Sequence, residues 1–283
     1  MNIFNNNNDL LSSFESKKNF FLEPFPHIVI ENCLPVNIYN QIKSNYPDFN
    51  TLDNLVNKAG NLSSLKFIDI VNKKNQNIDN VFYDFFNYHT SHEFLFKLIK
   101  IFNTEINNKN IKNKIIYELS RFKNSEDLIN SEKIDIITKK SPAINLNYPP
   151  LDDQSIRSVH LDRSKNIFGA LFYLKDDHDN DNGGDLELYS WKYSSDFYKK
   201  LYFTDPLNFK HVSFNKEIKF DKNKIVIFVN SIDSLHLVTK RKKNSPIRKY
   251  FYLSMDMKNK NVVNKRDIFT KIATKCLNFI KKK

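Results

Sequence analysis

The sequence predicts an α+β fold with a mainly β core: an antiparallel sandwich or barrel with helices packed on it and a basic amphipathic helix after it. Three observations lead there. From about residue 134, short extended runs alternate with turns: Ala143 to Leu146, Ser158 to Asp162, Phe168 to Leu174, Asp185 to Tyr189, Ile225 to Val229 and Ile247 to Asp256. Before that point, apolar residues recur at helical spacing. Beyond residue 260, Ile268, Ile272, Cys276 and Ile280 recur every four residues among lysines, with Phe269, Ala273 and Leu277 beside them.

Taken in order, residues 1–20 are polar and are expected to form a flexible N-terminal segment. Residues 21–133 are expected to form a helical support region. It opens with Pro24 and Pro26 ahead of a short strand around His27 to Ile30. Pro35 suits a first helical turn, followed by Ile38, Ile42 and Tyr46 at helical spacing. The Asn- and Lys-rich stretch 50–77 reads as loop with short structured pieces. Thr90 and Glu93 are spaced as a capping box for a helix whose apolar face includes Phe94, Leu95, Leu98 and Phe102. Residues 134–260 are the expected core and 261–283 the C-terminal helix, which would dock on the core or, as the rival, lie on an anionic membrane. No internal repeat is visible.

Composition excludes several classes. The 283 residues are 40% hydrophobic and 14% aromatic with 25 Phe, enough for a substantial core. Two cysteines encode neither a disulfide framework nor a cysteine zinc site, which fits a reducing, cytoplasmic setting. No signal peptide is expected from Met-Asn-Ile-Phe-Asn-Asn-Asn-Asn, and no transmembrane segment, because runs such as Ile225 to Val229 are too short. The net charge of +12 comes from scattered lysines rather than an arginine-rich stripe, so solvated lysine explains it and no specific nucleic-acid partner is expected.

The chemistry points to His160, Asp162, His236 and Arg248. His160 and Asp162 are two apart in Ser-Val-His-Leu-Asp, so on an extended strand both project from one face. His236, arriving much later, can close a facial triangle of two imidazoles and a carboxylate. That set suits Fe(II) and leaves coordination positions open for oxygen and a co-substrate. The same set also binds Zn(II), so a zinc hydrolase is a rival. Arg248 shares a strand face with Tyr250 and Tyr252. A buried arginine needs an anion, and a dicarboxylate co-substrate would supply one, with Tyr250 adding a hydroxyl. Arg241 competes for that role, but its turn Lys240-Arg-Lys-Lys243 reads as solvated.

Other features have plainer readings. His89 and His92 read as cap-region residues; His27, His178 and His211 read as isolated, structural or exposed. Asp177, Asp179 and Asp181 suggest a calcium loop, but Asn182 stands at the turn-glycine position and Leu188 at that of the bidentate glutamate. An acidic turn closed by Gly183-Gly184 is the better reading. Trp191, Tyr193 and Tyr198 could stack on a sugar or proline, although core packing is the commoner fate. No Gly-rich phosphate loop is present.

His160-x-Asp162, Phe168-Gly-Ala-Leu-Phe-Tyr-Leu, Gly183-Gly-Asp-Leu-Glu-Leu-Tyr189, Ser234-Leu-His236 and Pro246-Ile-Arg248 together resemble the Fe(II)/2-oxoglutarate-dependent dioxygenases, prolyl-hydroxylase-like branch. The resemblance covers about residues 140–257, with Pro24 to Tyr46 similar to the N-terminal start of such proteins. It implies a double-stranded β-helix (jelly-roll, cupin-like). Iron would be held by His160, Asp162 and His236, and the distal carboxylate of 2-oxoglutarate by Arg248, with Tyr250 as its neighbour. It further implies a hydroxylase that couples oxidative decarboxylation of 2-oxoglutarate to C–H hydroxylation, with molecular oxygen as co-substrate and ascorbate as an accompanying reductant. Asp162 fills the position that halogenating relatives leave open, which favours hydroxylation. Many prolyl hydroxylases carry lysine where this chain has Arg248, so small-molecule, peptidyl, glycan and lipid-like substrates all stay open. The alternative from another class is a non-catalytic jelly-roll module binding sugar or peptide.

Overall fold

The computed structural model describes residues 3–5, 7–73, 78–107, 114–129, 136–137, 142–148, 157–180, 183–243, 245–258 and 261–263. Its strands are β1 (Phe20–Phe21), β2 (His27–Glu31), β3 (Val56–Ala59), β4 (Leu62–Lys66), β5 (Ile136–Ile137), β6 (Ala143–Asn147) and β7 (Arg157–His160). They continue as β8 (Asn166–Leu174), β9 (Leu186–Trp191), β10 (Val212–Ile218), β11 (Lys222–Val229), β12 (Leu235–Val238) and β13 (Arg248–Met257). The helices are α1 (Ser16–Asn19), α2 (Val36–Ser44), α3 (Phe67–Lys73), α4 (Asn80–His89), α5 (His92–Asn107), α6 (Lys114–Leu119), α7 (Ser125–Ile129) and α8 (Asp196–Tyr202).

Two antiparallel sheets form among the described residues. The larger runs β1-β2-β11-β8-β13-β6-β4-β3, with β5 also on β13; the smaller runs β10-β9-β12-β7. From β6 onward the chain alternates between them, except that β9 and β10 follow one another in the small sheet. β6, β8, β11 and β13 lie in the large sheet, and β7, β9, β10 and β12 in the small one.

Period-2 alternation explains the layers. On β8, Phe168, Ala170, Phe172 and Leu174 face the helical layer, while Leu171 and Tyr173 face the small sheet. β11 repeats this with Ile225, Ile227 and Val229 on one side and Val226 and Phe228 on the other. Leu186, Leu188 and Ile218 of the small sheet complete the layer between the sheets. A central strand covered on both faces reads as a continuous apolar run, which is why all nine residues of β8 are buried. The helices cover the outer face through aromatic contacts: the Phe85 ring lies 5.7 Å from Phe172 and 5.1 Å from Phe251.

Several expectations need correction. Residues 1–20 are not loosely held where described. Phe4, Leu10 and Leu11 join the main core, and buried Asp9 accepts from Tyr88 Oη (3.0 Å) and Lys97 Nζ (2.8 Å). The stretch 50–77 is more than loop: β3 and β4 form a hairpin turned at Gly60 (φ 58°), and β4 extends the large sheet beside β6. The region 21–133 therefore adds strands as well as helices. Ser91, not Thr90, caps α5, its Oγ accepting from the Phe94 amide at 3.2 Å. Thr90 instead closes α4, donating to the Phe86 carbonyl, and Asp79 caps the start of that helix. Pro35 precedes α2 as expected, with Ile38 and Ile42 buried. The amphipathic pattern over 264–283 lies outside the described residues. No helix among the described residues is long and apolar enough to cross a membrane.

Two buried histidines tie peripheral segments to this core. Burial, reinforced by nearby Lys97, lowers His89 to about 3, and its ring links the Phe85 carbonyl at Nδ1 to the Leu10 amide at Nε2. His89 is thus a core residue closing α4 rather than a helix-start residue. Burial likewise lowers His27 to about 4, with Lys216 adding to the effect and the Phe25 carbonyl opposing it. A histidine held neutral in the folded state stabilises fully above its unfolded value of 6.5, and that contribution is lost as pH falls toward the folded value. The urea midpoint is therefore expected to fall between pH 7 and pH 4, each histidine contributing at most about 1.4 kcal/mol per pH unit. The His27→Gln/His89→Gln double variant should show a shallower pH dependence; an unchanged slope would contradict the assignment.

Candidate active site

β7 and β12 are neighbours in the small sheet, with His236 directly opposite His160. Asp162 follows His160 by two residues and stays on the same side. The three side chains are buried, and one potential ligand atom from each lies within 4.8 Å of the others. The imidazole centroids are 4.4 Å apart, and His236 Nε2 is 3.7 Å from Asp162 Oδ1.

The surrounding hydrogen bonds prepare this cluster for a cation. His160 Nδ1 meets the Ser158 carbonyl at 2.8 Å, and His236 Nδ1 meets the Ser234 carbonyl at 2.9 Å. A carbonyl can only accept, so Nδ1 carries the proton and the lone pair sits on Nε2, the form a metal needs. Tyr252 Oη donates to Asp162 Oδ2 at 3.2 Å and accepts from Asn166 Nδ2 at 2.6 Å. Burial, together with the Asp162 carboxylate, holds the Tyr252 phenol well above its usual range, so it remains a donor. Two neutral imidazoles and one oriented carboxylate fit a divalent transition metal.

Gly169 of β8 makes room for this arrangement. A Cβ there would stand 2.5 Å from Asp162 Oδ2 and 3.0 Å from the Phe228 ring. In the sequence this glycine looked like part of an apolar strand; only the apposed sheet shows its purpose.

Arg248 opens β13 and is buried, its guanidinium carbon 4.4 Å from the Tyr250 ring centroid, 5.0 Å from Tyr173 and 5.1 Å from Phe220. Nε donates to the Gly184 carbonyl at 2.9 Å, while the buried Nη2 has no hydrogen-bond partner. A buried guanidinium with an unused donor is a receptor for an anion. The Gly183-Gly184 turn lets the backbone pass close: a Cβ on Gly184 would stand 2.9 Å from Arg248 Cδ, and one on Gly183 1.9 Å from the Lys240 carbonyl.

Arg241 corrects the solvated reading. It is 1% exposed and forms a bidentate pair with Asp179 at 2.7 and 2.8 Å. This pair anchors the acidic loop and lies outside the cavity wall described next. Asp177 is engaged by Lys43 and Lys222, which hold its carboxyl down to about 2. These pairings engage two of the three carboxylates that a calcium reading would need; Asp181 lies outside the described residues.

One cavity of about 390 Å³ joins His160, Asp162 and His236 to Arg248 and Tyr250. The rest of its wall includes Asn145 and Asn147 of β6 and Asn61, Leu62, Ser64 and Lys66 of the hairpin, none of which the sequence reading singled out. The spacing of Leu62, Ser64 and Lys66 carried a weak period-2 signal that the polar composition masked. Trp191, Tyr193 and Tyr198 are elsewhere, against the outer face of the small sheet. There Trp191 Nε1 donates to the Ile232 carbonyl at 2.7 Å and Tyr193 stacks on Tyr202 at 5.1 Å. Buried His211 belongs to the same group, stacked on Tyr202 at 4.5 Å, whereas His178 is exposed.

No protein-family model matches the sequence, and no curated protein matches it. Solved structures do resemble it. A prolyl 4-hydroxylase from Phytophthora capsici is 13% identical, with 82% of this chain and 58% of that chain covered, at a TM-score of 0.42. This chain therefore spans less than two thirds of that protein. A Pseudomonas putida prolyl-4-hydroxylase is 11% identical over 82% of this chain and 93% of its own, at a TM-score of 0.43. HygX from Streptomyces hygroscopicus, solved with nickel and 2-oxoglutarate bound, is 10% identical over 81% and 82%, at a TM-score of 0.35. The chemistry of the site rests on its own side chains.

Gly169→Ala is expected to weaken metal binding by roughly 10- to 100-fold, because it displaces the oriented carboxylate. Titration with Mn(II) or Ni(II) beside an unchanged circular dichroism spectrum would check it. Asp179→Ala should destabilise the fold by about 3–5 kcal/mol in urea unfolding, since it strands a buried guanidinium.

Proposed function

We propose that the protein is an Fe(II)- and 2-oxoglutarate-dependent oxygenase, acting as a hydroxylase. The observation that carries this reading is the shared cavity. A buried two-histidine, one-carboxylate cluster lies at one side, and a buried arginine with an unpartnered Nη2 lies across from it. The alternation of β6 to β13 between two sheets supports a double-stranded β-helix, in which β7 and β12 present the ligands inward. A fold-level likeness would not supply this chemistry; the placement of the donors does.

Iron(II), when bound, would supply the activation of oxygen that is coupled to oxidative decarboxylation of 2-oxoglutarate. His160, Asp162 and His236 would hold the ion. Arg248 would pair with the distal carboxylate, and Tyr250 closes one side of its guanidinium. Tyr252 keeps Asp162 oriented by donating to the oxygen farther from His236. Leu171, Phe228 and Val238 give the cavity an apolar lining that limits water around the substrate C–H bond. A reducing, cytoplasmic location belongs to the same proposal, supported by a buried free Cys33 whose thiol burial pushes up and keeps protonated.

The test is succinate formation from 2-oxoglutarate by anaerobically reconstituted protein after admission of air. His236→Ala and Asp162→Ala are expected to abolish it. Arg248→Met should raise the KM for 2-oxoglutarate by roughly 10- to 100-fold, the loss of one charged hydrogen-bonding partner. Turnover that persists without iron, or in His236→Ala, would overturn the assignment and favour a binding module or another metal chemistry.

A further inference from the structure

The large sheet presents three cross-strand rows to the cavity. Leu62, Asn147 and Arg248 form one; Ser64, Asn145 and Tyr250 the next; Lys66, Ala143 and Tyr252 the third. Tyr252 bonds Asp162, so the third row is the metal end. It lies about 13 Å along the strands from the Arg248 row, four residues at roughly 3.3 Å each. Lys66 therefore stands at the opposite end of the cavity from the arginine assigned to 2-oxoglutarate.

The charged side chains of the wall are mostly cations. Asn145 Oδ1 accepts from Ser64 Oγ at 2.6 Å, and Asn147 Oδ1 accepts from Asn61 Nδ2 at 3.3 Å. Each amide oxygen thus has a partner and each amide keeps N–H groups for a ligand, while Ser64, having donated its proton, offers only acceptor lone pairs. Among the described residues Asp162 is the single acid in the lining, against the cations Lys66, Arg163 and Arg248. Lys66 is exposed to the cavity mouth and makes no hydrogen bond or ion pair with the described residues. Arg163, next to Asp162, pairs with Asp256 at 3.7 Å. With Arg163 offset by Asp256, Lys66 and a divalent metal against Asp162 still leave the metal end with an excess of positive charge among the described residues.

We propose that the substrate carries an anionic group, a carboxylate or a phosphate, which Lys66 holds at the metal end of the cavity. This rests on the reading of the cavity as an iron and 2-oxoglutarate site. It narrows the substrate to small acidic molecules, or to chains presenting an acidic group next to the oxidised position. An attraction of this kind at a partly enclosed site corresponds to roughly tenfold or more in affinity.

The experiment is anaerobic calorimetry on the full chain loaded with Fe(II) and 2-oxoglutarate. The probes are paired: L-proline with L-prolinamide, L-leucine with L-leucinamide, and ribose 5-phosphate with ribose, alongside acetate and inorganic phosphate. The expected result is at least about tenfold tighter binding of the anion in the carboxylate or the phosphate series, and the series that responds identifies the source. Lys66→Met should collapse that preference to under about threefold, and Lys66→Arg should retain it. Equal affinity within every pair, or a preference unchanged in Lys66→Met, would overturn the proposal. The heat of 2-oxoglutarate binding to the iron-loaded wild-type chain separates the two readings. If it is present, only the substrate class falls; if it is absent, the oxygenase reading falls too.

Discussion

The cross-strand pairing of His236 with His160 is the constraint on which everything else hangs. It joins residues far apart in the chain, and it exists only because β7 and β12 lie side by side in the small sheet. That sheet is positioned by packing against the buried face of the large one, through Leu186 and Leu188 on Tyr173, Val226 and Phe228. A one-residue slip of β12 would turn the imidazole away from its partner and expose Leu235 and Leu237 in its place. The apolar alternation that buries the core therefore fixes the metal ligands as well. The buried carbonyls of Ser158 and Ser234 then set each ring's tautomer, so backbone geometry determines which nitrogen faces inward.

The anion end of the cavity follows a different logic. Arg248 is surrounded by aromatic rings and by backbone that only glycine could bring so near. Such surroundings satisfy the stem and the face of the guanidinium while leaving one donor unspent. The neighbouring Arg241 shows the contrast. It has the same burial and touches the same Phe220 ring, but Asp179 neutralises it. Each leaves one buried donor unspent, Arg241 Nε and Arg248 Nη2, so what divides them is the carboxylate partner that Arg241 has and Arg248 lacks among the described residues.

That division marks the limit of what the sequence could reveal. His160 with Asp162, and Arg248 with Tyr250, were legible as pairs because strand periodicity places each pair on one face, a local property of the chain, whereas His236 joins them through the pairing of β12 with β7. The α+β layering was legible for the same reason, in runs such as Asn166 to Leu174. Arg241 was misread because its partner Asp179 is 62 residues away, a pairing that no local pattern reports. Gly169 was passed over because its neighbour Asp162 reaches it only through tertiary packing. The β3–β4 hairpin was hidden by Asn, Ser and Lys, which belong on a strand pair half open to water. Phe4, Asp9 and Leu10 were hidden by the polar residues around them, since a few anchoring contacts suffice to order a segment whose average composition looks unstructured.

The hairpin has one more implication. It hangs on the edge of the large sheet through the single ladder between β4 and β6, with β3 outermost among the described strands. Its Leu62, Ser64 and Lys66 line the cavity, yet none of them contributes to the metal cluster or to the packing of the two sheets. Evolution can therefore rewrite this wall with little penalty to folding and none to the buried histidine–aspartate cluster. A scaffold built this way can reshape its cavity by drift in one peripheral ribbon while the cluster stays constant.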